Sequence, residues 1–216
     1  MQNLGQNMFS KFIELLFRGQ FGKPTGIRGK ILVKQLNKQN KNQYNAVIRN
    51  IGLKTNNVIL EIGFGNGYLI KELFKQNILI KIYGIDISED MLNEAKIKNK
   101  QKFENGDLKL FLEDITRTSF DEDFFDKIYT VNTIYFWSDI NSSLSEIKRI
   151  LKVDGVFINV FSVKSHLNTL ECTKYGFNKY TLEEVEKATE NNGFNINNIV
   201  EINENSTYAI IAENTD

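Results

Sequence analysis

At 216 residues, 41% hydrophobic and 25% charged, the chain has the length and composition of one globular domain with a sizeable core, and leaves little room for a second. Its single cysteine, Cys172, cannot form an internal disulfide, and with one histidine, His166, it cannot furnish a three- or four-ligand Cys/His zinc site; no metal ligands are singled out, although carboxylate-based metal binding stays open. The formal net charge of zero conceals an asymmetry, because residues 1–60 hold ten Lys/Arg against the lone acid Glu14, whereas the remainder holds 17 basic and 26 acidic groups.

The basic part can meet a phosphate, an anionic substrate or a membrane surface, or it can neutralise the acidic body of its own fold. No apolar run approaches the roughly 18–20 residues that span a bilayer, and the start lacks the pattern of a secretory signal, so the expected compartment is the cytoplasm.

In chain order, the first 50 residues contain two apolar-periodic stretches, Met8–Phe17 and Ile31–Ile48, which read as helical lead-in segments. Between them lies the turn-rich Gly19–Gly29, with the only proline, Pro24. From Val58 the pattern changes to short apolar runs of strand length: Val58–Ile62, Ile82–Asp86, Leu108–Leu112, Ile128–Val131 and Val156–Phe161. Helix-like stretches around Tyr68–Lys75, Glu89–Asn99 and Ile140–Leu151 separate them, which predicts an α/β domain on a largely parallel sheet. Thr181 followed by Glu184 is a capping-box pattern that opens a helix, and Gly193 suits its stop. Ile196–Ile202 and Thr207–Ala212 then read as a closing hairpin.

The strongest local signal is Val58-Ile59-Leu60-Glu61-Ile62-Gly63-Phe64-Gly65-Asn66-Gly67-Tyr68, a strand running into a Gly-rich turn and a helix. Alternating glycines let the backbone turn tightly and approach a ligand. Counting from Gly63, the sixth residue is Tyr68, so the third glycine of a dinucleotide fingerprint is missing, and no P-loop run occurs. Asp86 closes the next strand, where its two oxygens match the adjacent hydroxyls of a ribose diol; the competing reading is an acidic cap on the following helix, with Ser88 as N-cap. In the acidic loop Glu113-Asp114-Ile115, Asp114 can accept from an exocyclic adenine amine, while Ile87, Met91 or Ile115 cover the ring faces. Tyr129 to Trp137 leaves a strand as a polar pair followed by aromatics, with Tyr135 and Trp137 candidates for the substrate side and Phe136 equally suited to core packing.

These residues, in this order, resemble the class I S-adenosylmethionine-dependent methyltransferases, in particular the small-molecule branch that includes the quinone-biosynthesis C-methyltransferase-like proteins. The resemblance covers residues 56–213 and includes the approach Leu151-Lys152-Val153-Asp154-Gly155, where the family often has Pro-Gly-Gly. It implies a Rossmann-like, seven-stranded, mostly parallel sheet with helices on both faces and an antiparallel last strand, preceded by N-terminal helices. It also implies a lead-in or lid over 1–55 and a cofactor-binding domain over 56–216. The turn Gly63, Phe64, Gly65, Asn66 and Gly67, with Glu61 behind it, would hold the methionyl end of S-adenosylmethionine; Asp86 would bind ribose; Ile87 and Met91 would pack on adenine; and Glu113, Asp114 and Ile115 would form the adenine loop. Asn132 would face cofactor and reaction centre.

A sulfonium methyl is already electrophilic, so transfer needs mainly alignment, and a base only where the acceptor arrives protonated. His166 can serve as that base, or sit exposed in its Ser-Val-Lys-Ser-His loop. Asn132, Tyr135 and His166 are the candidate catalytic residues, and Phe17, Phe21, Tyr135 and Trp137 the candidate substrate contacts. Phe9, Phe12, Phe17 and Phe21 can form an apolar lid, with Lys23, Arg28 and Lys30 reaching an anionic head group, or a helix packed permanently on the domain. The expected activity is methyl transfer to a small acceptor of aromatic or lipid-like character. The rival readings are modification of RNA or protein, or a non-catalytic interaction protein.

Overall fold

Each apolar run after Val58 is bounded by turn residues and rich in Ile, Leu, Val or Phe, which suits a strand buried on both faces. In the computed structural model, which describes residues 19–215, the strands are β1 (Val58–Ile62), β2 (Lys81–Asp86), β3 (Leu108–Leu112), β4 (Phe125–Val131), β5 (Leu151–Ser162), β6 (Phe194–Asn203) and β7 (Thr207–Asn214). The helices are α1 (Gly26–Gln39), α2 (Lys41–Asn50), α3 (Tyr68–Phe74), α4 (Glu89–Lys98), α5 (Lys100–Glu104), α6 (Ile140–Ile150), α7 (Lys164–Leu167) and α8 (Leu182–Asn191).

The sheet order is β3-β2-β1-β4-β5-β7-β6. β1 to β5 run parallel, while β7 is antiparallel to both neighbours, so the expected sheet and hairpin are both present. The chain winds outward from β1 to β3, then returns to place β4 on the other side of β1. A crevice opens beyond the carboxyl ends of the strands at such a reversal.

Successive strand residues face opposite sides, so Leu60, Ile128 and Phe157 join one core cluster while Ile59, Tyr129 and Ile158 join the other. α2 and its C-cap residue cover the second face through Val47 and Ile51, both essentially inaccessible to solvent. Burying two such side chains contributes about 1.5–3 kcal/mol each, so α2 is a fixed part of the domain.

Several boundaries depart from the sequence reading. Ile31–Ile48 is two helices, broken at Asn40, whose φ of −82° and ψ of 8° leave the helical region. α1 begins at Gly26, inside the stretch read as turn. β5 begins at Leu151, which pairs with Phe125 before a register shift; Asp154, at φ 61°, lies in the polar stretch that hides this early pairing in the sequence. Thr181 and Glu184 form the expected capping box. The stretch Met8–Phe17 lies outside the described residues. Among the described residues no helix is long and apolar enough to cross a membrane.

Candidate active site

The carboxyl ends of β1, β2, β3 and β4 deliver the Gly-rich turn, Asp86, the Glu113–Ile115 loop and Asn132 to one cleft that is open to solvent at its mouth. α1 and α2 close its far side with Val33, Leu36, Asn37, Asn40 and Tyr44, and Phe21, Gly22 and Pro24 reach it from the strap before α1.

The turn is held by contacts that explain its glycines. Gly63 has φ +72°, and a Cβ there would lie 2.3 Å from Thr133 Cγ2, so a larger residue would collide with the β4 exit. Gly65 has φ +52°, and a Cβ there would meet only Val33 Cγ1, at 3.7 Å, leaving space above the turn on the cleft side.

Asp86 is almost fully buried and ties this turn to β2. One carboxylate oxygen accepts from the Gly65 N–H at 2.8 Å and the other from the Ser88 N–H at 2.9 Å. Burial pushes its carboxyl up to about 6, against the opposing pull of those N–H groups. Two bonds leave acceptor capacity on each oxygen, so a diol can be added without breaking the turn. Ser88 is also the N-cap, as expected: its Oγ accepts from the Met91 N–H at 3.3 Å and donates to the Pro24 carbonyl, which pins the strap to the start of α4.

Glu61 sits deeper, where its Oε2 accepts from the Tyr129 hydroxyl at 2.8 Å. Burial drives the Glu61 carboxyl well above its usual range, and Tyr129 upward too, for burial and the nearby Glu61 charge both disfavour the phenolate. Asp114 Oδ1 accepts from the Thr116 N–H and hydroxyl at 2.9 and 2.7 Å, which shapes the loop carrying Glu113 and Ile115.

Asn132 leaves β4 at φ 58°, its Nδ2 donating to Gln43 Oε1 at 2.7 Å and its Oδ1 accepting from the Tyr135 hydroxyl at 3.0 Å. Ten of the expected cofactor residues therefore line the cleft: Glu61, Gly63, Phe64, Gly65, Asp86, Ile87, Glu113, Asp114, Ile115 and Asn132. Phe21 and Trp137 also line it, together with Phe136.

Other expected residues stand elsewhere. Asn66 is not among the described lining; its Oδ1 accepts from Asn37 Nδ2 at 3.0 Å, which ties the turn to α1, and Gly67 packs against Asn99 and Ala95 behind the turn. Met91 is wholly buried in the core beneath α4 and is not a wall of the cleft. Tyr135 is a support: its hydroxyl is engaged by the backbone N–H of Ser162 and by Asn132, behind the lining. His166 lies half-buried on α7, outside the cleft lining. Lys30 pairs with Glu94 at 2.8 Å, while Lys23 and Arg28 are exposed, and none of the three is among the described residues that line the cleft. Phe9, Phe12 and Phe17 lie outside the described residues.

The α2 residues Gln43 and Tyr44 were missed by sequence reading, because a glutamine and a tyrosine on an amphipathic helix carry no motif. Tyr44 donates to Asn37 Oδ1 at 2.8 Å and packs 5.6 Å from the Tyr68 ring, so the helical lead-in supplies a polar wall to the cleft.

Residues 60–159 match the family model described as a methyltransferase domain. The chain is 32% identical over 117 residues to the uncharacterized methyltransferase YdaC of Bacillus subtilis, a match that covers 54% of this chain and 61% of that protein. The chain thus spans about three fifths of that relative's length. Among solved structures, the geranyl diphosphate C-methyltransferase from Streptomyces coelicolor, bound to Mg2+, geranyl diphosphate and S-adenosyl-L-homocysteine, superposes with a TM-score of 0.73 at 14% identity, covering 92% of this chain and 88% of that one. The [4+2]-cyclase SpnF superposes at 0.71 with 14% identity, covering 80% of each chain. The sheet order and the Gly-turn cleft agree with these matches: residues 60–159 are similar to a methyltransferase domain, and the fold is the one shared by the superposed structures.

Proposed function

We propose that this chain moves a methyl group from S-adenosylmethionine to a small-molecule acceptor of aromatic or lipid-like character. The observation that carries the reading is electrostatic: Glu61, Asp86, Glu113 and Asp114 line the cleft, and its described lining contains no Lys, Arg or His. A site of that sign suits a cofactor with a sulfonium and an ammonium, and opposes a dinucleotide pyrophosphate.

When bound, S-adenosylmethionine would supply an electrophilic methyl group on sulfonium sulfur, with the thioether S-adenosylhomocysteine as the leaving group once the carbon–sulfur bond breaks. This chain's residues supply orientation. Gly63 and Gly65 admit the methionyl end, Glu61 faces its ammonium, Asp86 receives the ribose hydroxyls, and Asp114 with Ile87 and Ile115 holds the adenine. Asn132, fixed by Gln43 and Tyr135, marks the reacting end, where Phe136 and Trp137 exclude water. Within the 1–55 lead-in, the described residues 19–55 act as a cover on the 56–216 domain, with α2 as its fixed part and the Gly19–Pro24 strap as its closing edge.

Calorimetric titration with S-adenosylmethionine, S-adenosylhomocysteine and NAD tests the cofactor half. Saturable binding of the first two without NAD supports the reading, and NAD binding, or none of the three by folded protein, overturns it. Transfer of a labelled methyl group into RNA or protein in preference to small molecules would replace the acceptor class.

A further inference from the structure

α1 carries different chemistry on its two sides. Its inner side walls the cofactor cleft through Val33, Leu36 and Asn37. On its outer side, steps of four, three and four residues put Ile27, Ile31, Lys34 and Lys38 in one row. All four are exposed, Ile27 at 78% and Ile31 at 54%, although Leu32 and Val33 of the same helix are buried.

α4 extends this face. The Gly26 N–H donates to Asp90 Oδ2 at 2.7 Å, and Lys30 pairs with Glu94 at 2.8 Å, so four residues along α1 correspond to four along α4 and the two helices run side by side in one direction. One turn further, the same register brings Lys34 level with Lys98 and with Ile97, which is 74% exposed. Past the Lys30–Glu94 pair the charged residues of both helices are all lysines: Lys34, Lys38, Lys96 and Lys98. Arg28, Lys34 and Lys38 form no ion pair among the described residues. Residues 1–18 hold the single acid Glu14 against Lys11 and Arg18, so that segment has too little negative charge to neutralise the row.

Aliphatic side chains standing among unpaired cations match one kind of surface, the boundary of an anionic bilayer. There the isoleucines enter the edge of the acyl layer, while the lysines lay their methylene stems beside them and reach the lipid phosphates. RNA would satisfy the lysines through its phosphates, but it reads through stacking and polar base contacts and gives exposed isoleucines no partner.

We propose that the outer face of α1, continued by Ile97 and Lys98 of α4, docks the protein reversibly on membranes rich in anionic phospholipid. Ile27 and Ile31 supply the apolar contact, and Lys34 and Lys38 the attraction to the headgroups. The docking goes beyond the methyl-transfer reading and stands without it. Because the other side of α1 walls the cleft, docking also brings the cleft to the layer in which hydrophobic molecules concentrate.

Flotation of the full chain with vesicles tests the proposal, using phosphatidylcholine alone and phosphatidylcholine mixed with phosphatidylglycerol at about three to one. The mixed vesicles bind at least about tenfold more tightly, and salt raised from about 0.05 to about 0.5 M weakens that binding. Lys34→Gln/Lys38→Gln and, separately, Ile27→Gln/Ile31→Gln each lose at least about tenfold on the mixed vesicles. Lys54→Gln/Lys187→Gln removes the same charge from two exposed sites elsewhere and changes binding by about threefold or less. All three variants keep the wild-type melting temperature and affinity for S-adenosylhomocysteine, since none of these residues lines the cleft. If the isoleucine pair fails to fold by circular dichroism, Ile27→Ala/Ile31→Ala takes its place. No binding, equal binding to the two vesicle types, or equal losses from the two lysine pairs overturns the proposal. An unchanged isoleucine variant, with transfer RNA bound more tightly than the mixed vesicles, overturns it in favour of nucleic acid. Absence of S-adenosylhomocysteine binding defeats the methyl-transfer reading instead, and the vesicle result still decides the docking.

Discussion

Gln43 Oε1 accepts a 2.7 Å hydrogen bond from Asn132 Nδ2, joining α2 to the residue at the exit of β4. Gln43 is buried, so the bond is shielded from solvent, and Asn132 is held at a positive φ between that bond and the Tyr135 hydroxyl. Gln43→Leu leaves the Asn132 amide without its acceptor and lowers unfolding stability by about 1–3 kcal/mol. Urea denaturation reads the loss, and a change below about 0.5 kcal/mol would show that water replaces Gln43 without penalty.

Asp86 couples cofactor binding to pH. Its carboxyl has a folded value of about 6 against about 3.9 in an unfolded chain, so the folded protein holds this proton more tightly. Its contribution to stability is fully present below about pH 4 and is lost as pH rises through about 6, after which the ionised group costs about 3 kcal/mol. The ionised form is the better acceptor for two hydroxyls. Affinity for S-adenosylhomocysteine therefore rises from pH 5 to 7 with an inflection near 6. Asp86→Ala loses that inflection and at least about tenfold in affinity, the equivalent of one charge-assisted hydrogen bond. Calorimetry across this range on both proteins checks it, and a flat wild-type profile would contradict the ribose assignment.

The two glycines of the turn separate stability from binding. Gly63→Ala drives a methyl to 2.3 Å from Thr133 Cγ2 at an already left-handed backbone, so it destabilises the fold by more than about 2 kcal/mol. Gly65→Ala meets only Val33 at 3.7 Å, so it costs about 1–2 kcal/mol of backbone strain. Its methyl occupies the cleft face, however, and weakens S-adenosylhomocysteine more than it lowers the melting temperature. Thermal melts beside calorimetry on both variants give the comparison, and the reverse ranking would mean that the turn is misassigned.

Tyr129 positions Glu61 from β4. Removing its hydroxyl in Tyr129→Phe takes away the donor that stabilises the Glu61 carboxylate and destabilises the fold by about 1–3 kcal/mol. Binding of S-adenosylhomocysteine, which carries an ammonium, weakens, while methylthioadenosine, which lacks it, binds as before. Equal loss for the two ligands would assign Tyr129 a purely structural role.

The strap from Gly19 to Pro24 is held by Ser88 Oγ on the Pro24 carbonyl and by the Asp90 carboxylate, which accepts from the Gly26 N–H at 2.7 Å. If it closes over bound cofactor, its amide hydrogens exchange more slowly when S-adenosylhomocysteine is added, while those of α2, already packed on the sheet, do not change. Equal exchange with and without ligand would make the strap a static wall.

Local chemistry and periodicity were enough to place the strands, the capping box at Thr181, the Gly turn and the strand-end acids, because each depends on residues close together in sequence. Side-chain direction was not legible in the same way. Met91 and Tyr135 looked as suitable for the cleft as Ile87 and Trp137, yet one faces the core beneath α4 and the other hydrogen-bonds behind the cleft wall.

The sequence by itself determined a parallel α/β sheet with a ligand crevice at its carboxyl edge and strand-end carboxylates able to accept from hydroxyls or an amine, since strand period, glycine placement and residue chemistry are local properties. Only the tertiary structure decided that Gln43 buttresses Asn132 across 89 residues of chain, that Lys30 is taken up by Glu94, and that the rings of Phe21 and Phe136 both pack against Phe177. Those relationships join segments far apart in the chain, and their partners are selected by packing of the whole sheet and its covering helices, which no local pattern encodes.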